Sequence, residues 1–548
     1  MVADNSVLYI AKAIRSMTGA NDIGRNAILV KGQQIVAVGP ADELRRQYGE
    51  CEVVDFGEGV ITPGLSDSHS HVISGAISDA LGVDLTGAMT FDEVRSRLRE
   101  YMTGLSDDDW VLAWGLDPTV YDGGPLEYRP FAETIGDRCA MISFADMHSL
   151  LASPRALQAA GIDGPRDFPA SSAKIACYPD GTPTGHVLEF QATSLVRAAM
   201  PPLNDEQKRR NIWHVLQEMA ATGLTKSHVM DFDTEHVRLL REMEEEGELP
   251  VKLELHPFAN PVTVDGVEAE YQRLMSLVGL HGRRWAVTGV KFFMDGSIDG
   301  GTAWLREPDI HGQSDHGAWS DQQAYRSLMT KLVESGVSTV THAIGDEGVL
   351  THVDVVEGLL KRVGDINGGK HGTHSIEHLE MLEDDEIQRI ASSDIYLSMM
   401  PLHCTRFLHA DQLDNWSRKL DDVRKRDCFR TRSLVNAGAV VAIGSDWPVA
   451  PFDPRWTMAD GILRRPYDHP EMGPVEPQEA LISEELLAGY TVNCAMARGE
   501  SMHAGKIAVG YDADFTVFGE DPLALEPSAL ATDPILATVV DGQLAYRG

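Results

Sequence analysis

Two histidines separated by one residue, His69 and His71, are the first candidates for chemistry in this sequence. They follow an apolar segment and the turn at Pro63-Gly64. On a β-strand, residues two apart point to the same side, so both imidazoles could reach one metal ion at a strand end. The pattern alone is a weak signal, because a chain with 20 histidines among 548 residues contains about one His-x-His by chance.

Further side chains able to bind a metal stand at the ends of predicted strands downstream. They are Lys291, His342, His378 and Asp446. In a barrel of parallel strands, the carboxyl ends of the strands lie on one face, so these side chains should share one pocket with the two histidines. Four imidazoles, one carboxylate and one lysine exceed what a single tetrahedral ion needs. The set suits two divalent ions about 3.5–4 Å apart.

Lys291 is the unusual member, because an ammonium group has no lone pair and would repel a cation. Two interpretations remain open. In the first, CO₂ converts the neutral amine into a bridging carbamate, and burial beside metal and imidazoles favours that neutral amine by lowering the lysine pKa. In the second, an unmodified Lys291 binds a substrate anion beside a single metal ion.

Strand-like and helix-like segments alternate along the middle of the chain. Predicted strands lie at 287–294, 337–342, 373–378, 395–399 and 439–444, and predicted helices at 322–334 and 346–362. Largely apolar strands separated by helices predict an α/β fold with a buried parallel sheet. The simplest closure of this many repeats is a (β/α)₈ barrel of the TIM type.

Both ends of the chain instead carry short strands and hairpins, at 7–11, 27–39, 52–55, 514–518 and 537–546. Neither end has enough strands for a stable sheet by itself. We therefore predict a small β-sandwich domain built from residues 1–61 and 503–548, with the barrel at 62–502. Residues 73–225 fit the alternation poorly and contain many Pro and Gly, which predicts an insertion after the first barrel strand that partly covers the active-site mouth.

Composition excludes several classes of function. A formal net charge of −36 argues against a nucleic-acid partner, because phosphate would be repelled. The six cysteines form no Cys-x-x-Cys pair, which indicates a reducing compartment and argues against a thiolate zinc site. No signal peptide is visible and no apolar run approaches the ~20 residues that span a bilayer, so we expect a cytoplasmic enzyme with no membrane partner. A homo-oligomer is compatible with the sequence.

Taken together, the motifs resemble the metal-dependent amidohydrolase superfamily. The resemblance lies in Pro63-Gly64 through His71, in the segment 289–297 around Lys291, in His342 and His378, in Gly444-Ser445-Asp446, and in the terminal segments 33–39 and 505–518. Insertion motifs at 114–115, 146–149 and 181–189 resemble amidohydrolase family 3, the branch of YtcJ-like proteins and N-substituted formamide deformylases. One departure is Met400 before Pro401, where relatives often carry glutamine.

The resemblance implies a ligand set and a catalytic group. His69, His71 and Asp446 would hold one ion and His342 and His378 another, with carbamylated Lys291 as the bridge. The metal is most often zinc, with iron and manganese as alternatives, because imidazole and carboxylate ligands do not select zinc strongly. Asp446 would take a proton from a metal-activated water and return it to the leaving amine.

The expected activity is hydrolysis of the C–N bond of a small amide or N-substituted formamide. Trp114, His148 and His403 are the candidate substrate-binding residues, with Glu189 as a further group on the insertion. The same scaffold supports ester or cyclic-amide hydrolysis and metal-dependent isomerisation or decarboxylation. A non-enzymatic binding protein is disfavoured, because all six ligand positions are present. The sequence does not specify the substrate.

Overall fold

The computed structural model describes residues 6–49, 51–168, 173–261, 266–367 and 372–548. Its N-terminal part is a set of short strands that pair around a hairpin. The elements are β1 (Ser6–Ile10), β2 (Ala13–Ile14), β3 (Ala27–Lys31), β4 (Gln34–Gly39), α1 (Ala41–Tyr48), β5 (Glu52–Asp55) and β6 (Val60–Pro63). Strands pair in the order β4-β3-β1-β5. The β3–β4 turn falls at the predicted position, where Gly32 has a φ of 61°, a conformation that favours glycine.

A separate mixed sheet follows the first long parallel strand. The elements are β7 (Leu65–Ser70), α2 (Val72–Ser74), β8 (Val83–Asp84), α3 (Phe91–Met102), β9 (Val111–Leu116), α4 (Ala132–Ile135), β10 (Ala140–Phe144), β11 (Ser149–Ala152), α5 (Pro154–Ala159), β12 (Lys174–Cys177), β13 (Pro183–Leu188) and α6 (Phe190–Ala198). Its six strands pair in the order β12-β13-β11-β10-β9-β8. Buried residues such as Leu98, Phe131 and Phe144 give this region its own apolar core.

Strands and helices then alternate through the central region. The elements are α7 (Asp205–Ala221), β14 (Leu224–Phe232), α8 (Thr234–Glu246), β15 (Lys252–Pro257), α9 (Val267–Met275), β16 (Trp285–Val287), β17 (Gly289–Phe293), α10 (Gln322–Glu334), β18 (Ser338–Ala343), α11 (Asp346–Asn367), β19 (His374–His378), α12 (Asp384–Ala391), β20 (Tyr396–Met399), α13 (Pro401–Arg406), α14 (Thr431–Asn436) and β21 (Val441–Ile443).

The central strands form two parallel sheets that meet at two seams. One sheet has the order β16-β15-β14-β7 and the other the order β17-β18-β19-β20-β21. Single parallel bridges join Phe258 to Lys291 at one seam and Ser70 to Trp447 at the other. Eight parallel strands therefore follow one another around a ring, from β7 through β14, β15 and β17 to β21 and back to β7.

The helices that surround this ring are amphipathic, and α10 shows how such a helix is fixed in place. The side chain of Asp321 accepts hydrogen bonds from the backbone N–H groups of Gln323 and Ala324, which caps the helix start. Its buried face includes Tyr325 and Leu328, which belong to the main apolar core. Burial of this face against the strands supplies most of the helix's stability.

The C-terminal part returns to the N-terminal strands. Its elements are α15 (Pro454–Leu463), α16 (Ser483–Tyr490), α17 (Val492–Ala497), β22 (Phe515–Phe518), α18 (Pro527–Leu530), β23 (Ile535–Val540) and β24 (Gln543–Arg547). A five-stranded sheet has the order β2-β6-β22-β23-β24 and so combines both termini. Tyr9 and Ile28 from the first sheet share one apolar core with Phe515 and Val517 from this sheet.

Two elements differ from the sequence-based expectations. The predicted strand at 287–294 is β17 (Gly289–Phe293), except that its first residue, Val287, ends β16, which belongs to a different sheet. A single residue, Thr288, separates the two strands, and periodicity does not locate so short a break. Residues 73–225 contain an ordered six-stranded sheet, whose short strands are masked in the sequence by frequent Pro and Gly. No helix within the described ranges is long and apolar enough to cross a membrane.

Candidate metal centre and active site

The predicted ligands come together at one end of the ring of strands. His69 lies near the end of β7 and His71 just beyond it, Lys291 lies within β17, His342 near the end of β18, His378 at the end of β19, and Asp446 shortly after β21. All except His71 are nearly or fully buried. Residues separated by up to 377 positions therefore meet, as predicted for side chains at the carboxyl ends of parallel strands.

Asp446 is the centre of the first group of predicted ligands. Its Oδ1 atom lies 3.3 Å from His69 Nε2 and 3.2 Å from His71 Nε2. Its Oδ2 atom lies 3.9 Å from His378 Nδ1. Donor atoms of His69, His378 and Asp446 lie within 4.8 Å of one another, so one ion could bind all three.

The hydrogen bonding of His69 shows that a cation fits this group. His69 Nδ1 donates to Glu377 Oε2 at 2.8 Å, which leaves Nε2 with a lone pair. That lone pair faces Asp446 Oδ1, which is buried and has no hydrogen-bond partner among the described residues. Lys291 Nζ lies 3.3 Å from the same lone pair, but the two acceptors still repel each other at this distance, and a metal cation between them would remove that repulsion. Ligands of a tetrahedral zinc with bonds of about 2.0–2.1 Å are separated by about 3.3–3.4 Å, which matches the spacing around Oδ1.

His342 and His378 form the second group of ligands. Their ring centroids are 4.3 Å apart, and that of His378 is 4.9 Å from His69. His342 Nε2 donates to the carbonyl of Gly296 at 3.1 Å, so Nδ1 is its available ligand atom. Both ring nitrogens of His378 are buried and without a hydrogen-bond partner among the described residues. Leaving such groups unsatisfied costs about 1–3 kcal/mol each, a cost that a bound metal would remove.

Lys291 lies between the two groups of ligands and is fully buried. Its Nζ atom is 3.3 Å from His69 Nε2 and 4.6 Å from the ring centroid of Phe293. Burial lowers the pKa of Lys291 to about 8. At that pKa a substantial fraction of the amine is neutral near physiological pH, as carbamate formation requires.

The protonation of the cluster also suits metal binding. Burial lowers the pKa values of His69, His342 and His378 well below the ordinary value, so these imidazoles are neutral and keep their lone pairs. Burial opposes ionisation of Asp446, but the neighbouring His69, His71 and His403 more than offset it and lower the pKa of the carboxyl. The site therefore presents neutral imidazoles and a carboxylate, the form in which these side chains bind metals.

Two ligands adopt backbone conformations that L-residues rarely take. His378 has a φ of 78° and Asp446 a φ of 58°. Such conformations cost on the order of 1–3 kcal/mol each and persist only where the surrounding structure fixes them. In both cases the strand ends at or just before the residue, and the left-handed turn directs the side chain into the cluster.

Two acidic residues that sequence reasoning did not single out position the ligands. Glu377 fixes the ring of His69, and its other oxygen accepts the hydroxyl of Ser375 at 2.5 Å. Asp67 accepts the backbone N–H of His69 and both the N–H and hydroxyl of Ser445. Their positions in the sequence could have identified them, because each carboxylate lies within two residues of a predicted ligand.

The insertion places the polar side chains of His148 and Glu189 beside the predicted metal ligands. His148 Nδ1 lies 3.2 Å from Glu189 Oε2, and its ring centroid is 5.4 Å from that of His342. Burial alone would lower the pKa of His148, but Glu189 and Asp146 raise it to about 9. Asp146 also accepts the hydroxyl of Ser297 at 3.0 Å, which ties the insertion to the loop after β17.

A cavity opens beside these groups and encloses about 630 Å³, including its opening to solvent. His148 and His403, two of the predicted substrate-binding residues, line it together with Phe407. His403 Nε2 lies 3.6 Å from Asp446 Oδ2. Trp114, the third, lies on β9, where its carbonyl accepts the N–H of Leu85. Trp114 is not among the described residues that line this cavity, because β9 holds it within the inserted sheet.

Comparison with known proteins decides the family. A sequence model described as the amidohydrolase family matches residues 52–546. The chain belongs to the amidohydrolase family. A second model, the bacterial imidazolonepropionase-like composite domain, matches residues 27–50.

Individual amidohydrolases resemble the chain over its whole length. The putative amidohydrolase YtcJ of Bacillus subtilis (strain 168) is 28% identical over 535 residues, which cover 95% of this chain and 96% of the relative. The N-substituted formamide deformylase of Arthrobacter pascens is 24% identical over 567 residues, covering 100% and 99% of the two chains. These matches confirm the predicted branch of the family.

Solved structures show that the fold is shared. The crystal structure of an uncharacterized metal-dependent hydrolase from Pyrococcus horikoshii OT3 superposes with a TM-score of 0.70 at 20% identity. The match covers 95% of this chain and 99% of the other. Membership of the amidohydrolase family and the cluster of donor atoms together support a hydrolase that depends on a divalent metal.

Proposed function

We propose that this amidohydrolase cleaves the C–N bond of an amide or N-substituted formamide by means of an activated water molecule. The observation that carries the proposal is the pair of opposed acceptors at His69 Nε2 and Asp446 Oδ1, buried beside the free nitrogens of His378. A divalent cation between these atoms would make the arrangement favourable. A divalent ion at this position would be held where a substrate in the cavity can reach it.

We also propose that the ring of eight strands is a (β/α)₈ barrel. The two bridges at the seams and the order of strands support closure. The two terminal sheets with their common core support a composite β-sandwich domain at residues 1–61 and 503–548. The barrel would then occupy residues 62–502, with an insertion at about 73–225 that carries His148 to the barrel mouth.

The proposed ligand set follows the two groups of donor atoms. His69, His71 and Asp446 would hold one ion, His342 and His378 the other, and carbamylated Lys291 would bridge them. Zinc is the proposed metal. When bound, such ions lower the pKa of water towards neutrality and polarise a carbonyl group.

Within this site Asp446 is the proposed general base and acid. Its carboxylate lies at the junction of the two imidazole groups, so it can accept a proton from the attacking water and return it to the leaving amine. His148 is the proposed contact for the substrate carbonyl or leaving group, and Glu189 keeps its imidazole oriented. His403 is the other proposed substrate contact, and it lies beside the Oδ2 atom of Asp446.

The choice of an amide-type substrate rests on the relatives. The Arthrobacter pascens enzyme named for N-substituted formamides matches over the full length of this chain. The cavity beside the predicted ligands combines polar groups with apolar walls, as small-molecule sites usually do.

The test combines metal analysis with a substrate panel. The purified protein should contain stoichiometric divalent metal and should release amine from N-substituted formamides or N-acyl amines. Asp446→Asn should abolish nearly all turnover. Wild-type activity in a fully metal-free preparation, or substantial activity of the Asn variant with metal bound, would contradict the proposal.

A further inference from the structure

The cavity beside the metal ligands is rich in carboxyl groups. Besides Asp446, its lining includes Asp117, Asp146, Asp299 and Glu380. None of the lining residues that the structure describes is lysine or arginine. The one lining imidazole with a raised pKa, His148, is already paired with Glu189 outside the lining. The cavity therefore has more carboxyl groups than basic groups.

Asp299 is the least compensated of these carboxyls. Asn415 donates to its Oδ1 at 3.2 Å and to its carbonyl oxygen at 3.1 Å, but an amide supplies no positive charge. Burial raises the pKa of Asp299 well above its ordinary value, and the nearby Asp146, Glu380 and Asp414 raise it further. Burial and mutual repulsion disfavour the ionised form of neighbouring carboxyl groups. A positively charged ligand would stabilise that ionised form.

Aromatic rings stand beside the carboxyls. Trp416, Phe407 and Phe429 all line the cavity. The indole N–H of Trp416 donates to Glu380 Oε2 at 3.0 Å, so ring and carboxylate are joined directly. Its ring centroid lies 6.4 Å from that of Phe429. Carboxylates combined with aromatic faces are a typical environment for ammonium groups.

A buried imidazole nitrogen without a hydrogen bond provides a further sign of a ligand at this place. His403 is 7% exposed and lines the cavity, and its Nε2 has no hydrogen-bond partner among the described residues. Its Nδ1 lies 3.5 Å from Glu380 Oε1. His403 thus lies between the predicted metal ligands around Asp446 and the carboxyl groups of the cavity. A substrate that contacts both sets of residues would pass His403.

We propose that the substrate carries an ammonium group, which Asp299 and Glu380 bind against Trp416 while the scissile amide lies at the metal ligands. The inference rests on the proposed amide hydrolysis and names its substrate class: an amide or formamide of a diamine or of another amine with a second, cationic end. The competing occupant is a further divalent ion, because donor atoms of His378, Glu380 and His403 lie within 4.8 Å of one another.

The test compares two formamides of equal length that differ in charge. N-(5-aminopentyl)formamide is cationic and N-(5-hydroxypentyl)formamide is neutral. Calorimetric binding to the zinc-loaded Asp446→Asn variant measures recognition without turnover, and kcat/KM on the wild-type enzyme measures selection during catalysis. We expect at least about a tenfold preference for the cationic compound, as a charge-assisted contact provides.

Asp299→Asn removes the carboxylate at nearly constant shape and should reduce the preference for the cationic compound to about unity. The matched control is Asp108→Asn, which changes an exposed aspartate by the same charge and should keep the preference. Glu380→Gln provides a second neutralised variant if Asp299→Asn does not fold, which circular dichroism will show.

Equal binding of the two formamides by the zinc-loaded Asp446→Asn protein would overturn the ammonium site. An unchanged preference for the cationic formamide in both Asp299→Asn and Glu380→Gln would also overturn it. A metal ion bound by Glu380 and His403 in a crystal of the zinc-loaded protein would also overturn it. Preferential binding without hydrolysis of either compound would support the ammonium site and contradict the proposed function, so the two failures are distinguishable.

Discussion

Asp67 and Ser445 join the strand that carries His69 to the segment that carries Asp446. The hydroxyl of Ser445 donates to Asp67 Oδ2 at 2.5 Å, and its backbone N–H donates to Oδ1 at 3.0 Å. Asp67 also accepts the N–H of His69 at 3.1 Å. One buried carboxylate therefore fixes the spacing between two metal ligands that are far apart in the chain.

Replacing this carboxylate should weaken both the fold and the metal site. In Asp67→Asn an NH₂ group replaces one of the two oxygens that together accept three hydrogen bonds, so we expect a loss of about 1–3 kcal/mol in the free energy of unfolding, with reduced metal occupancy. Urea unfolding and metal analysis measure the two effects. Ser445→Ala should add little to Asp67→Asn in the double variant, and strictly additive losses would show that the two residues do not act together.

Glu377 should control metal affinity through His69. Glu377→Gln retains the shape but replaces the carboxylate that holds the Nδ1 proton, so His69 becomes a weaker and less fixed ligand. Changes of this kind typically reduce metal affinity about 10–100-fold. Competition with a chromophoric chelator measures the change. The exposed Glu307→Gln is the matched control, and equal affinities of the two variants would remove Glu377 from this role.

Lys291 should react with CO₂ in a way that surface lysines do not. Because burial lowers its pKa to about 8, the fraction of carbamylated lysine at fixed dissolved CO₂ should increase as the pH rises from about 7 to 9. Incubation with ¹³C-bicarbonate should give a carbamate ¹³C NMR signal in the metal-loaded protein. The signal should vanish in Lys291→Met and persist in Lys12→Met, whose side chain is 61% exposed. A signal that survives in Lys291→Met would assign the carbamate elsewhere.

His352, remote from the metal ligands, should make stability depend on pH. It is buried between α10 and α11, where its Nδ1 and the hydroxyl of Tyr325 are 2.7 Å apart, and burial lowers its pKa to about 3. Below the ordinary pKa of 6.5 the unfolded chain takes up a proton that the folded chain does not. The contribution of neutral His352 to the free energy of unfolding is therefore complete above about pH 6.5. This contribution should fall by about 2 kcal/mol on going to pH 5.

The variant His352→Gln isolates this effect. The difference in unfolding free energy between wild type and variant should shrink as the pH falls through this window. His214→Gln, at a side chain that is 69% exposed, should show a constant difference over the same range. A constant difference for His352→Gln would contradict a neutral buried imidazole.

The sequence predicted the parts of the fold that have strong periodicity. The helix expected at 322–334 is α10, and the strands that carry His342 and His378 lie within a residue of their expected positions. Convergence of the ligands could be predicted because parallel strand ends share one face. The break between β16 and β17 could not, since it is only one residue long, at Thr288.

The surroundings of the site were less accessible to sequence reasoning. Trp114 was selected for its residue type, but its direction depends on strand pairing inside the insertion, which short strands do not reveal. Glu377 and Asp67 act through hydrogen bonds to ligands, and such roles depend on tertiary geometry. The acidic character of the cavity was equally hidden, because Asp146, Asp299 and Glu380 come from separate segments.

The most direct test of the central claim is anomalous X-ray scattering at the zinc edge from crystals of the zinc-loaded protein. We predict a peak within coordination distance of His69 Nε2, His71 Nε2 and Asp446 Oδ1. A zinc-loaded crystal with no peak among these three atoms, from a preparation that hydrolyses its substrate at full rate, would contradict the account.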